Sequence, residues 1–264
     1  MLLTYNVAND KISLGFVEND TLVSTASVAT DTKKTVDEYA VVLREIFDLC
    51  GFDTQIFEGA ICSSVVPMLT DTVRNAVEML LNVRVHTLGV GTKTGLRILT
   101  DDPTQLGGDL VAAAVGALTK YKPPMIIVSF GVATTFSVID SSGAFLGCAI
   151  APGVSLSAEA LSEKASLLPH FATSAPKKCI GTNTMESMQS GCVFGGAAMV
   201  NGMLSRLECE LGECANIVAF GDDGKQIIPL CERNLICDDT VLLIGLAEIY
   251  KKNLRHRKNS QKPT

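Results

Sequence analysis

"LLTYNVANDKISLGF", residues 2–16, runs apolar, then polar, then apolar again. The two apolar runs read as strands and Asn6–Asp10 as the tight turn between them. A β-turn-β of this kind is a common cradle for a nucleotide phosphate. Here the turn has no glycine, and it carries a carboxylate, Asp10.

The same pattern returns in the middle of the chain. "IIVSFGVATTFSVIDSSGAFLG", residues 126–147, again reads strand, turn, strand, hairpin, strand. Asn6 falls on Ser129, Ala8 on Gly131, Phe16 on Ile139 and Leu22 on Phe145, each 123 residues on. The hairpin signals coincide too, "END" at 18–20 over "SSG" at 141–143. Similarity at half the chain length points to two like domains related by duplication. After the first copy come the helical pattern "VDEYAVVLREIFDLC" and the short buried strand "FEGAICSSVV". After the second comes a long helical stretch, 183–211, with Asn183 as N-cap and Glu186 three residues on. Gly191, Gly195, Gly196 and Gly202 in that stretch are expected to mark close packing. Strands alternating with helices in two similar halves imply an α/β fold with a cleft between them. The expected domains are 1–120 and 121–250, followed by a basic, flexible tail, 251–264.

Bulk composition narrows the function classes. The 264 residues are 47% hydrophobic and 19% charged, which is globular composition. A net charge of −6 without a basic stripe through the body argues against nucleic acid as the partner. No apolar run approaches the roughly 18 residues of a membrane span, and no signal-peptide head is present. Nine cysteines, scattered without a CxxC pair, argue against a disulfide framework or zinc site. They read as mostly buried thiols of a cytoplasmic protein.

Seven short motifs then fall in order. They are "DEY" at 37–39, "SSVVP" at 63–67, "KTGL" at 93–96, "GGDL" at 107–110, "SFGVATT" at 129–135, "APG" at 151–153 and "GTNTMESMQSG" at 181–191. In this order and spacing the chain resembles the type III pantothenate kinases over nearly its whole length. The resemblance implies two ribonuclease-H-like domains of the acetate and sugar kinase/Hsp70/actin superfold, in a homodimer. It implies transfer of the γ-phosphoryl of ATP, with Mg²⁺ and with K⁺ or NH₄⁺, to the 4′-hydroxyl of pantothenate, the first step toward coenzyme A. Asp109 matches the family's proton acceptor, Gly107 and Gly108 its substrate loop, and Thr184 its substrate-contacting Thr.

Other matched positions depart from the family. Its first loop, Asp-x-Gly-Asn-Thr, reads Asn6-Val7-Ala8-Asn9-Asp10 here, so an acid becomes an amide, a Gly gains a Cβ and a Thr becomes a carboxylate. Its monovalent-cation Asp is Ser129, its ATP-contacting Thr is Val132, its substrate Arg is Leu110 and its substrate Tyr is Thr100. The family contacts at positions 6 and 110 are charge-assisted, and losing both would cost roughly 3 kcal/mol, over a hundredfold. The expectation is therefore a pantothenate kinase homologue of impaired activity. The alternative is a non-catalytic pseudokinase that binds a small ligand or pairs with an active paralogue in a heterodimer.

Overall fold

The computed structural model describes the backbone of residues 1–260 and the side chains of residues 1–255. The chain divides into two compact units. One holds residues 1–96, 101–120 and the chain from Thr240 on; the other holds 97–100 and 121–239.

In the first unit, β1 (Leu2–Val7), β2 (Lys11–Glu18) and β3 (Thr21–Ala29) form an antiparallel meander. After α1 (Val36–Leu49), β4 (Gly59–Ser64) returns parallel to β1. α2 (Pro67–Leu81) then leads to β5 (Val85–Thr87), parallel to β4, and α3 (Gly108–Lys120) follows. The sheet order is β3-β2-β1-β4-β5. β1 is central, and its run Leu3–Val7 is buried, as suits a strand covered on both faces. α1 starts with a capping box, Thr35 accepting from the Glu38 N–H while Glu38 accepts from the Thr35 N–H. Phe16, Phe47, Phe52 and Phe57 fill the core beneath α1, with Phe16 stacked on Phe52 at 4.6 Å between centroids.

The second unit repeats the plan. β6 (Met125–Phe130), β7 (Ala133–Ile139) and β8 (Phe145–Pro152) make the meander. α4 (Val154–Lys164) and α5 (Thr184–Leu211) follow, then β9 (Asn216–Phe220), parallel to β6. α6 (Gly224–Ile227) precedes the short β10 (Ile236–Cys237), parallel to β9. The order is β8-β7-β6-β9-β10, matching the first sheet strand for strand. Even the irregularity repeats, with a register shift between Phe16 and Val17 in one meander and between Val138 and Ile139 in the other.

Several expectations are corrected. The second unit ends at Asp239, because α7 (Val241–Ser260) packs on α3, β1 and β4 of the first unit. Residues 251–260 of the expected tail continue that helix, and 261–264 lie outside the described residues. Of the four α5 glycines only Gly196 is closely packed, against Val154 and Ile227, while a Cβ at Gly191, Gly195 or Gly202 would meet open space. Five of the nine cysteines are exposed, and all nine are free thiols.

Candidate active site

In the first unit the turn after β1 closes through the Ala8 N–H donating to the Lys11 carbonyl at 3.0 Å. Thr30 fastens it from β3's end, its Oγ1 donating to Ala8 O at 2.7 Å and its N–H to Asp10 O at 3.0 Å. None of Ala8, Asn9 and Asp10 has a positive φ, so this turn accepts Ala8 without backbone strain. Asn9 and Asp10 are exposed at its tip, and Asn6 is buried beneath it.

Asp109 lies on the first turn of α3, behind Gly107 and Gly108. A Cβ at Gly107 would come within 2.5 Å of Asp109 Oδ1, so the carboxylate folds back over that bare residue. Asp109 is half-buried, and loss of water pushes its carboxyl above the usual range, opposed by backbone N–H donors of Leu110 and of Asp109 itself. The Leu110 side chain is buried in the core rather than turned to solvent.

The second unit holds the other matched positions. Ser129, half-buried near the end of β6, pairs in register with Thr135, whose buried Oγ1 has no hydrogen-bond partner. The turn that follows exposes Val132, and Val132 O accepts from the Gly153 N–H at 2.9 Å. Gly153 has to be glycine here: a Cβ would sit 2.1 Å from Gly131 O. Gly221, at φ +106°, has the same constraint against Phe130 O at 2.0 Å. Thr100 belongs to this unit through the bridge of Ile98 with Phe145, and its Oγ1 is buried without a partner. Thr184 is exposed at the start of α5, where Asn183 Oδ1 accepts from the Glu186 N–H at 2.9 Å. Glu186 itself accepts from Thr182, so the cap is reciprocated one residue earlier than expected.

The first unit thus brings Asn6, Ala8, Asn9, Asp10, Gly107, Gly108, Asp109 and Leu110 into one body, and Thr100, Ser129, Val132 and Thr184 belong to the other. Among the described residues no group of three or more His, Cys, Asp or Glu comes together as a metal site. The Ser129 and Thr135 hydroxyls are neutral, so these donors do not fit a cation held by a carboxylate there. Sequence reasoning missed Ser63, the parallel register partner of Asn6. Its signal lay in "SSVVP", whose strand has to pair with β1 before Ser63 stands opposite Asn6.

The family profile of type III pantothenate kinases matches residues 2–206. The "Type III pantothenate kinase" of Halalkalibacterium halodurans is 37% identical over 254 residues, covering 96% of this chain and 100% of that protein. That of an Exiguobacterium species is 38% identical over 253 residues, covering 96% and 99%. Among solved structures, the Clostridium difficile activator of 2-hydroxyisocaproyl-CoA dehydratase, with bound ADPNP, superposes with a TM-score of 0.56 at 12% identity over 100% of this chain and 98% of that one. That likeness shows the fold, two ribonuclease-H-like units of the acetate and sugar kinase/Hsp70/actin type.

Proposed function

Because the chain belongs to the type III pantothenate kinase family, we propose that it phosphorylates pantothenate from ATP, at a rate lowered by its substituted loop. The observation that carries the reading is Asp109, a half-buried carboxylate with a raised pKa on the first turn of α3. A base whose pKa is shifted up toward the working pH removes a hydroxyl proton more effectively. Asp109 takes the proton of the acceptor hydroxyl as its oxygen bonds to the γ-phosphorus and the bond to the ADP oxygen breaks. ATP enters as its magnesium complex, which is substrate rather than a resident group.

The lowered rate follows from the turn. Asp10 places negative charge at its exposed tip. That charge repels an anionic phosphate without disturbing the backbone. A cytoplasmic homodimer is part of this reading, supported by the family resemblance, with a heterodimer containing an active paralogue as its variant. Among the described residues no helix is long and apolar enough to cross a membrane.

The test is pantothenate phosphorylation with Mg-ATP, with and without K⁺ or NH₄⁺, beside Asp109→Asn. Turnover that this substitution abolishes supports the reading. No turnover, with no rise in melting temperature on adding ATP, would make the chain a non-catalytic subunit.

A further inference from the structure

β1 and β4 run parallel, and Asn6 and Ser63 are register partners one residue short of their carboxyl ends. Carboxyl ends of parallel strands are where α/β sheets receive ligands. Paired positions on neighbouring strands project from the same face, with the strands about 4.8 Å apart. Both side chains are buried, Asn6 at 6% exposure and Ser63 at 0%, yet Asn6 Oδ1 and Ser63 Oγ have no hydrogen-bond partner. Buried polar atoms almost always have one, so two orphans at paired positions need a partner that the surrounding side chains do not supply. Gly108 lies over Ser63: a Cβ there would come within 3.2 Å of Ser63 Oγ. Gly108 opens α3 and immediately precedes Asp109.

The chemistry of the two oxygens restricts what would satisfy them. Asn6 Oδ1 can only accept, while Ser63 Oγ both donates and accepts. Asn6 could turn its amide N–H to a fully ionised phosphate, but such a phosphate has no hydrogen to give Oδ1. An alcohol does, and it can accept from Ser63 in return. We propose that Ser63 contacts the acceptor substrate, forming with Asn6 a neutral two-oxygen seat for one of its hydroxyl groups beside the first turn of α3. This deepens the kinase reading and rests on it. Both oxygens are sealed from solvent, so occupation requires that turn to lift from Ser63. Gly107 and Gly108 give the backbone the freedom to do so.

The test is calorimetric titration of wild type and Ser63→Ala with pantothenate and, separately, with Mg-ATP, together with the melting temperature of each free protein. The expected result is pantothenate binding weakened about tenfold, as for one lost hydrogen bond, with Mg-ATP binding unchanged. The free variant should melt no lower than wild type, because the hydroxyl removed has no partner. Unchanged pantothenate affinity in Ser63→Ala overturns the seat and leaves the kinase reading standing. Equal weakening of both ligands, or a lower melting temperature with unaltered affinity, assigns Ser63 a structural role and also overturns it. Wild type that binds neither ligand overturns seat and kinase reading together.

Discussion

Asp109 is held where a carboxylate is uncomfortable, and that discomfort is measurable in two ways. Burial raises its folded pKa above the unfolded value, so folding favours the protonated form. Its contribution to stability is fully present below the unfolded value of about 3.9 and is lost as pH rises through the folded pKa. Asp109→Asn should therefore melt at or above the wild-type temperature at neutral pH, with the gap closing as pH falls toward about 4. The same shift should place the acid limb of the kcat/KM profile above the ordinary carboxylate range. A variant that melts well below wild type at neutral pH would show that Asp109 caps α3 for stability instead. Gly108→Ala belongs to this scale too. Its methyl would press on Ser63 Oγ at 3.2 Å, and pantothenate binding should fall while Mg-ATP binding holds.

At the scale of elements, turns and caps follow local chemistry closely. The hairpin at 18–20 has Asn19 and Asp20 at positive φ, a backbone that Asn and Asp tolerate better than most residues with a Cβ. Its counterpart uses Gly143 at positive φ, with Asp140 accepting from the Ser142 and Ala144 N–H groups. At the far end of α5 the chain is fixed by an ion pair, Arg233 Nη2 donating to Glu208 Oε1 at 2.7 Å, and Glu208 also accepts from the Ala215 N–H. The bond from Arg233 holds the Glu208 carboxyl below the usual range. That stabilisation is present above the unfolded value of about 4.3 and is lost as pH falls through the lower folded value. Glu208→Gln should lower stability at neutral pH by about 1 kcal/mol, a modest figure because Arg233 is 37% exposed. The difference should vanish in acid, as thermal melts across pH would show.

For the molecule as a whole, the decisive contact is between α3, which ends at Lys120, and α7, which begins at Val241. A Cβ at Gly116 of α3 would lie 1.8 Å from Val241 O, and one at Gly245 of α7 would lie 1.8 Å from Ala112 O. The two backbones touch because neither position has a side chain. α3 carries Asp109, so α7 holds in place the helix on which the proposed base stands. Gly116→Ala or Gly245→Ala should force the helices apart at a cost of about 1–3 kcal/mol or more, lowering the melting temperature and activity together. Full activity in a well-folded Gly245→Ala protein would show that α3 holds its position without α7.

Patterns acting between near neighbours were readable in the chain alone: the duplicated meander, the Asn183 cap, the turn residues and the motif order that places Asp109 at the start of a helix. Each is fixed by backbone dihedrals, side-chain period or capping within a few residues, which is where sequence has direct physical consequences. Ser63 beside Asn6, α7 closing on the first unit, the open faces of Gly191, Gly195 and Gly202, and the exposed thiols were decided by tertiary structure. Strand register and helix docking join residues tens to hundreds of positions apart, and no local preference of Ser63 or Gly245 names its partner. Two neutral oxygens become a candidate seat only when β4 lies parallel to β1 and Gly108 approaches Ser63.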